Sequence, residues 1–107
     1  MAKARCVMRV RLSSRARDDV SEILAYIDTK SPRGALVVKN AIYAALRRIG
    51  DFPNGGRRLR RDGSIQSIPI TKYPYLVYWT IESNNVWILH VRHAKRRAWR
   101  SKSDNLG

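Results

Sequence analysis

The last apolar segment of this 107-residue chain ends in side chains that could act on a phosphodiester. RNA can be cleaved without a metal because its 2′-hydroxyl supplies the nucleophile. A protein then needs to offer only a base, a cation beside the scissile phosphate and an acid. Side chains of the right types are His93, Arg92, Arg97, Arg61 and Tyr75. The histidine could instead cap a strand or pack, and the arginines could bind phosphates or carboxylates without chemistry. The residues themselves leave both possibilities open.

Metal-dependent, paired-carboxylate and serine chemistry find little support in the sequence. His90 and His93 are three residues apart, so on a strand they point to opposite faces, and Cys6 is the only cysteine. The only glutamates, Glu22 and Glu82, fall in different segments. No serine lies in a Gly-x-Ser-x-Gly setting. The sequence therefore predicts neither a metal site nor a cofactor.

The net charge is the most unusual property of the composition. Twenty-two Lys and Arg against eight Asp and Glu leave a formal charge of +14, well beyond the magnitude of about 2–8 suited to a small soluble domain. Such an excess indicates a polyanionic partner: nucleic acid, an acidic protein or a membrane surface. The cations expected to contact a target or its phosphates are Arg57, Arg58, Arg60, Arg61, Arg92, Lys95, Arg96 and Arg97.

The sequence also argues against export and membrane insertion. No apolar run approaches the roughly 20 residues needed to cross a bilayer. Arg5, Arg9 and Arg11 interrupt any signal-peptide core near the N-terminus. A single cysteine excludes an internal disulfide. We therefore expect a cytoplasmic protein without a membrane partner.

Capping residues and hydrophobic periodicity predict the helices and strands of the chain. Residues 7–12 alternate apolar side chains with arginines, which predicts a strand with one buried face. Ser13 or Ser14 is the expected N-cap of a first helix that runs to about Thr29.

A second helix is predicted to start directly after the first. Ser31 and Pro32 form a cap followed by proline at the first helical position, and Gly50 is expected to close the helix as its C′ residue. Three strands should follow, at residues 64–71, 75–82 and 86–93, the last two joined by a turn at 83–85.

The order β-α-α-β-β-β predicts an α+β domain in which one antiparallel sheet carries a helical hairpin on one face. The opposite face stays partly open and is the natural binding surface. A chain of this length forms one domain, residues 1–107. Within it we expect a basic lead-in at 1–7, with Met8 an alternative start, a folded core at 8–97 and a mobile tail at 98–107.

Five stretches, in their order and spacing, resemble the RelE/ParE superfamily, the toxin half of bacterial type II toxin–antitoxin pairs. They are Ala16-Arg-Asp-Asp-Val20 with Ile23 and Tyr26-Ile27, Ser31-Pro32, Phe52-Pro53 with Gly56-Arg57, Tyr73-Pro-Tyr-Leu-Val-Tyr78, and Val91-Arg-His93 followed by Arg96 and Arg97. The last two are the most specific. The resemblance implies a growth-inhibiting toxin, of the kind that stabilises plasmids, held silent in a hetero-oligomer by a cognate antitoxin. Such antitoxins are acidic and partly disordered, and fold as they bind. The residues expected to bind it are Tyr75, Val77, Trp79 and Trp87.

The superfamily has two branches with different targets. RelE-like members cut messenger RNA on the ribosome, whereas ParE-like members poison DNA gyrase and are not known as nucleases. Where the nuclease branch carries a phosphate-neutralising arginine, this chain has Tyr75, and Ala94 replaces the tyrosine that often follows the last strand. Both departures favour a ParE-like inhibitor without enzymatic activity. A RelE-like, metal-independent ribonuclease and a non-catalytic nucleic-acid-binding module are the alternatives.

Overall fold

A computed structural model describes residues 8–95 of the chain. The predicted lead-in at 1–7, the cations Arg96 and Arg97, and the predicted tail at 98–107 lie outside the described residues. In chain order the elements are β1 (Arg9–Leu12), α1 (Ser14–Lys30), α2 (Pro32–Asp51), β2 (Arg57–Arg58), β3 (Ile65–Pro69), β4 (Tyr75–Glu82) and β5 (Asn85–His93).

Serine caps begin both helices, as the sequence predicts. The Ser13 hydroxyl accepts a hydrogen bond from the Ala16 N–H at 3.1 Å, and the Ser31 hydroxyl accepts one from the Gly34 N–H at 2.9 Å. Ser31 is at once the C-cap of α1 and the N-cap of α2, with Pro32 at the first helical position. One residue thus joins the two helices into the predicted hairpin.

The predicted end of α2 at Gly50 is wrong, because the helix continues to Asp51 and Phe52 is its C-cap. Gly50 lies where β1 crosses the helix. A Cβ atom at this position would lie 3.0 Å from Val10 Cγ2 and 3.2 Å from the Met8 carbonyl oxygen. The glycine therefore permits a close approach of strand and helix, and does not terminate the helix.

The five strands form one sheet in the order β1-β5-β4-β3-β2. The β4–β5 hairpin turns at Ser83 and Asn84, which have φ angles of 53° and 63°. Two consecutive positive φ values are those of a type I′ turn, whose twist suits a hairpin. Three of the four strand pairs are antiparallel, but β1 pairs with β5 in parallel. The α+β class is confirmed, whereas the wholly antiparallel sheet is wrong, since side-chain alternation does not encode strand direction.

The core lies between the helical hairpin and one face of the sheet. Its least exposed large side chains include Ile42, Ile49, Val77, Trp79, Ile88, Val86 and Val91. The loop after α2 closes over the indole of Trp79, whose Nε1–H donates to the Pro53 carbonyl at 3.0 Å. Buried Gln66 donates to the same carbonyl at 2.9 Å and accepts from the Gly56 N–H at 2.9 Å. These bonds satisfy the buried polar atoms of Gln66 and Trp79 and fix the loop on the core.

Candidate functional site

A cleft of about 680 Å³ opens between α1 and the C-terminal end of β5. It brings together Tyr75 and His93, which the sequence singled out, with α1 residues that it did not. The lining residues are Arg15, Asp19, Glu22, Ile23, Tyr26, Tyr75, His90, Val91, Arg92 and His93. The cleft therefore combines imidazole, phenol, carboxylate and guanidinium groups in one place.

His93 is held at the end of β5 by two contacts. It is the register partner of Tyr75, and the two rings meet edge to face with centroids 5.5 Å apart. Its Nδ1 atom accepts a hydrogen bond from the Lys95 N–H at 3.1 Å. Because Nδ1 accepts, a neutral ring carries its hydrogen on Nε2, so that this atom can donate to a ligand.

Arg92 is a structural residue more than a ligand-binding one. Its side chain is largely buried, with Nε donating to the Tyr78 hydroxyl at 3.0 Å and Nη1 donating to the His93 carbonyl at 2.8 Å. The guanidinium also lies over the Tyr78 ring, 5.5 Å from its centroid. These contacts hold the charge against the sheet, which argues against the predicted phosphate-binding role of Arg92.

Asp19 connects α1 to β5 beyond Ile88, where β5 is no longer paired with β1. Its Oδ2 atom accepts from His90 Nδ1 at 2.6 Å and from the Val91 N–H at 3.0 Å. The His90 ring also stacks on Tyr78, with centroids 5.9 Å apart. Burial lowers the pKa of His90 from its ordinary 6.5, because desolvation of the imidazolium outweighs the attraction of Asp19. The sequence shows Asp19 only as an acidic residue near a helix start, with nothing to pair it with a strand 71 residues away.

The loop arginines lie at the opposite edge of the sheet from His93. Between β5 and β2 stand β4 and β3, so three strand spacings, roughly 14 Å, separate the two groups. The guanidinium of Arg58 donates to the Gly63 carbonyl at 2.7 Å, whereas Arg57 and Arg60 are exposed. Arg61, proposed as part of a catalytic set, does not join His93. Lys95 is exposed beside the cleft, and Arg96 and Arg97 lie outside the described residues.

The four residues expected to bind an antitoxin do not form one surface. Val77 and Trp79 are 0% and 1% exposed, so the prediction that they contact a partner is wrong. They face the helices, and alternation along β4 shows that they share a face but not that this face is the covered one. Tyr75 lines the cleft. Trp87 is partly exposed, with the Arg11 guanidinium 6.0 Å from its ring centroid.

Among residues 8–95, no cluster of three or more His, Cys, Asp or Glu side chains could hold a metal ion. Neither helix in this part of the chain has the length and apolar character required to cross a bilayer.

Comparison with known proteins places the chain in a family. Solved structures share its fold: a chain of the chromosomal ParDE toxin–antitoxin system from P. aeruginosa matches with a TM-score of 0.72 at 16% identity, covering 83% of this chain and 98% of that one. A chain of the RelBE2 toxin–antitoxin complex from Mycobacterium tuberculosis matches with a TM-score of 0.60 at 23% identity, covering 88% and 100%. No curated protein sequence matches significantly. Residues 10–98 match the sequence profile of the ParE toxin of type II toxin–antitoxin systems, parDE, and the chain therefore belongs to this toxin family.

Proposed function

We propose that this toxin arrests growth by inhibiting DNA gyrase and that an acidic cognate antitoxin neutralises it. The observation that carries the proposal is the register of β4 and β5. Opposite His93, where the nuclease branch of the superfamily would place a phosphate-neutralising arginine, stands the uncharged phenol of Tyr75. Phosphate cleavage develops charge that a phenol cannot neutralise.

The positions of the other candidate cations also favour a binding function over catalysis. The guanidinium of Arg92 is bound to Tyr78 and to its own strand, and the loop arginines lie across the sheet. A net charge of +14 suits two acidic partners in turn, a nucleic-acid-bearing target and an acidic antitoxin. We infer that the active species is the free toxin and the silent species a toxin–antitoxin hetero-oligomer.

The experiment is induction of the toxin in growing bacteria that carry a reporter plasmid. Two quantities are followed in the same samples: the superhelical density of the plasmid and the 5′ ends of messenger RNA. A gyrase inhibitor relaxes the plasmid or traps cleaved DNA before transcripts change, and co-expression of the antitoxin prevents both effects. Intact supercoiling together with new cleavage inside translated messages would overturn the proposal.

The ribonuclease alternative rests on one specific observation. The cleft places His93 and Tyr75 in contact and is also lined by Arg15 and Glu22. His93 and Tyr75 are candidates for the acid and the base, Arg15 is a candidate for the cation, and Glu22 adds a carboxylate. Arg15, however, lies on α1 and not on the sheet. If Arg15→Gln and His93→Ala each abolished message cleavage while the fold was retained, this alternative would replace the gyrase proposal.

A further inference from the structure

The face of the sheet that lies opposite the helical hairpin carries arginines at both of its edges. β1 is one edge strand and β2 is the other. Val10 and Leu12 pack against the core between sheet and helices. The alternate residues of β1, Arg9 and Arg11, therefore point away from the helices, and both are exposed.

The strand register shows which other side chains share this face. Arg11 pairs with Trp87, and Trp87 pairs with Thr80, so the partly exposed indole lies beside the arginine. At the opposite edge the exposed Arg57 pairs with Ser67, whose partner on β4 comes two residues before Thr80. Residues two apart on a strand share a face. The surface that these five residues define, the outer face, thus has cations at both edges and an aromatic ring between them.

The Arg11 guanidinium lies next to the indole of Trp87. Its carbon atom is 6.0 Å from the ring centroid, and its Nε donates to Asn85 Oδ1 at 3.4 Å. A planar cation is thereby placed beside a π surface at a position that solvent can reach. Nucleobases stack on aromatic rings and on guanidinium planes, and a guanidinium can also donate to a phosphate. The pair therefore offers the two kinds of contact that a nucleotide makes.

The outer face is positively charged. Among its strand residues in the described part of the chain, Glu82 is the one carboxylate, and it lies at the turn end of β4. The exposed arginines are Arg9, Arg11 and Arg57, and the whole protein carries +14. Four strand spacings, roughly 19 Å, separate the two edges. A polyanion that lies across the sheet can therefore contact cations at both edges.

We propose that the outer face binds single-stranded nucleic acid. The three exposed arginines contact its phosphates, and a base stacks on Trp87. A duplex is disfavoured because its bases already stack on one another and leave no free face for the indole. An acidic peptide would match the arginines but would not require the indole. The inhibition of gyrase does not depend on this contact, so that either proposal can fail without the other.

The test is fluorescence anisotropy with the purified full-length toxin and a labelled oligothymidylate of about 12 nucleotides, a length in the range that single-strand binding domains cover. Three phosphate contacts predict a slope of about −2 for the logarithm of affinity against that of salt concentration. This slope is a roughly 20-fold loss between about 50 and 200 mM salt. Arg11→Gln should weaken binding about fivefold and make the slope shallower by about 0.7.

The stacking contact has its own pair of variants. Trp87→Ala should weaken binding by about tenfold and leave the salt slope unchanged, because the indole carries no charge. Trp87→Phe keeps an aromatic face and should retain most of the affinity. Circular dichroism of each variant checks its folding.

Arg47→Gln is the matched control for charge, because Arg47 is an exposed arginine of α2, on the other side of the sheet. It should change affinity by less than about twofold. Equal weakening by Arg47→Gln and Arg11→Gln would mean that binding follows net charge alone, and it would overturn the assignment to the outer face. Absence of binding by wild-type toxin would do the same.

The remaining outcomes concern the kind of polyanion. Equal affinity of Trp87→Ala and wild type, or equal affinity for the same oligonucleotide paired with its complement, would overturn the single-strand assignment. Binding of poly-glutamate as tightly as the oligonucleotide would make the outer face a docking site for an acidic protein segment instead.

Discussion

Replacing Asp19 by alanine should detach α1 from β5 and destabilise the fold strongly. In the native protein one carboxylate oxygen accepts from His90 Nδ1 at 2.6 Å and from the Val91 N–H at 3.0 Å. The two donors belong to adjacent residues beyond the end of β1, where β1 no longer covers the edge of β5. In Asp19→Ala both donors lose their acceptor in a partly buried environment.

The expected cost follows from the number and kind of these bonds. A hydrogen bond to a charged group contributes about 1.5–3 kcal/mol. The Asp19 side chain retains 17% of its exposure, so water can partly replace it. Two such bonds, partly compensated by water, give a loss of about 2–4 kcal/mol in the free energy of unfolding. Asp19→Asn keeps an oxygen that can accept from both donors but loses the negative charge, so it should lose about half as much.

Urea unfolding followed by circular dichroism measures this free energy. The matched control is Asp18→Ala, which removes a carboxylate from the same helical turn, at an exposed position. Helix-dipole effects are nearly equal for the two variants, so their difference isolates the contacts with β5. We expect Asp18→Ala to stay within about 0.5 kcal/mol of wild type. If the two alanine variants had equal stability, the hydrogen bonds of Asp19 would not hold α1 to the sheet.

Three further predictions concern the core, the titration of the fold and the cleft. Gly56→Ala should cost about 1–3 kcal/mol in urea unfolding, because its Cβ would lie 2.8 Å from Trp79 Cζ2, whereas Gly63→Ala, with no atom within 4 Å, should be near neutral. Because burial lowers the pKa of His90 in the folded state, the contribution of His90 to the free energy of unfolding should be complete above pH 6.5. It should be lost as the pH falls below that value. This contribution cannot exceed about 1.4 kcal/mol per pH unit and should vanish in His90→Gln. His93→Ala should leave growth inhibition largely intact, and loss of toxicity in a folded variant would support the nuclease alternative.

The helices and the hairpin could be predicted from the sequence because residues close to one another in the chain determine them. Ser13, Ser31 and Pro32 act on the helix starts within three residues. The alternation of β4 and β5 and the turn between them likewise involve neighbours in the chain. These features gave the order of elements and the α+β class.

The features that the sequence did not reveal depend on packing between distant segments. Gly50 resembles a helix terminator, yet its role is set by β1, which crosses it. Alternation placed Val77 and Trp79 on one face of β4, but only the position of the helices shows that this face is buried. The contact of Asp19 with β5 and the separation of Arg61 from His93 are consequences of strand order, which no local signal encodes.

The proposed inhibition of gyrase by this toxin is tested most directly by a supercoiling reaction with purified components. Relaxed plasmid, gyrase and ATP are incubated with increasing amounts of toxin, and the topoisomers are resolved on a gel. We expect a dose-dependent loss of supercoiling or accumulation of cleaved DNA, both prevented by prior addition of antitoxin. Unchanged supercoiling at toxin concentrations well above that of gyrase would contradict it.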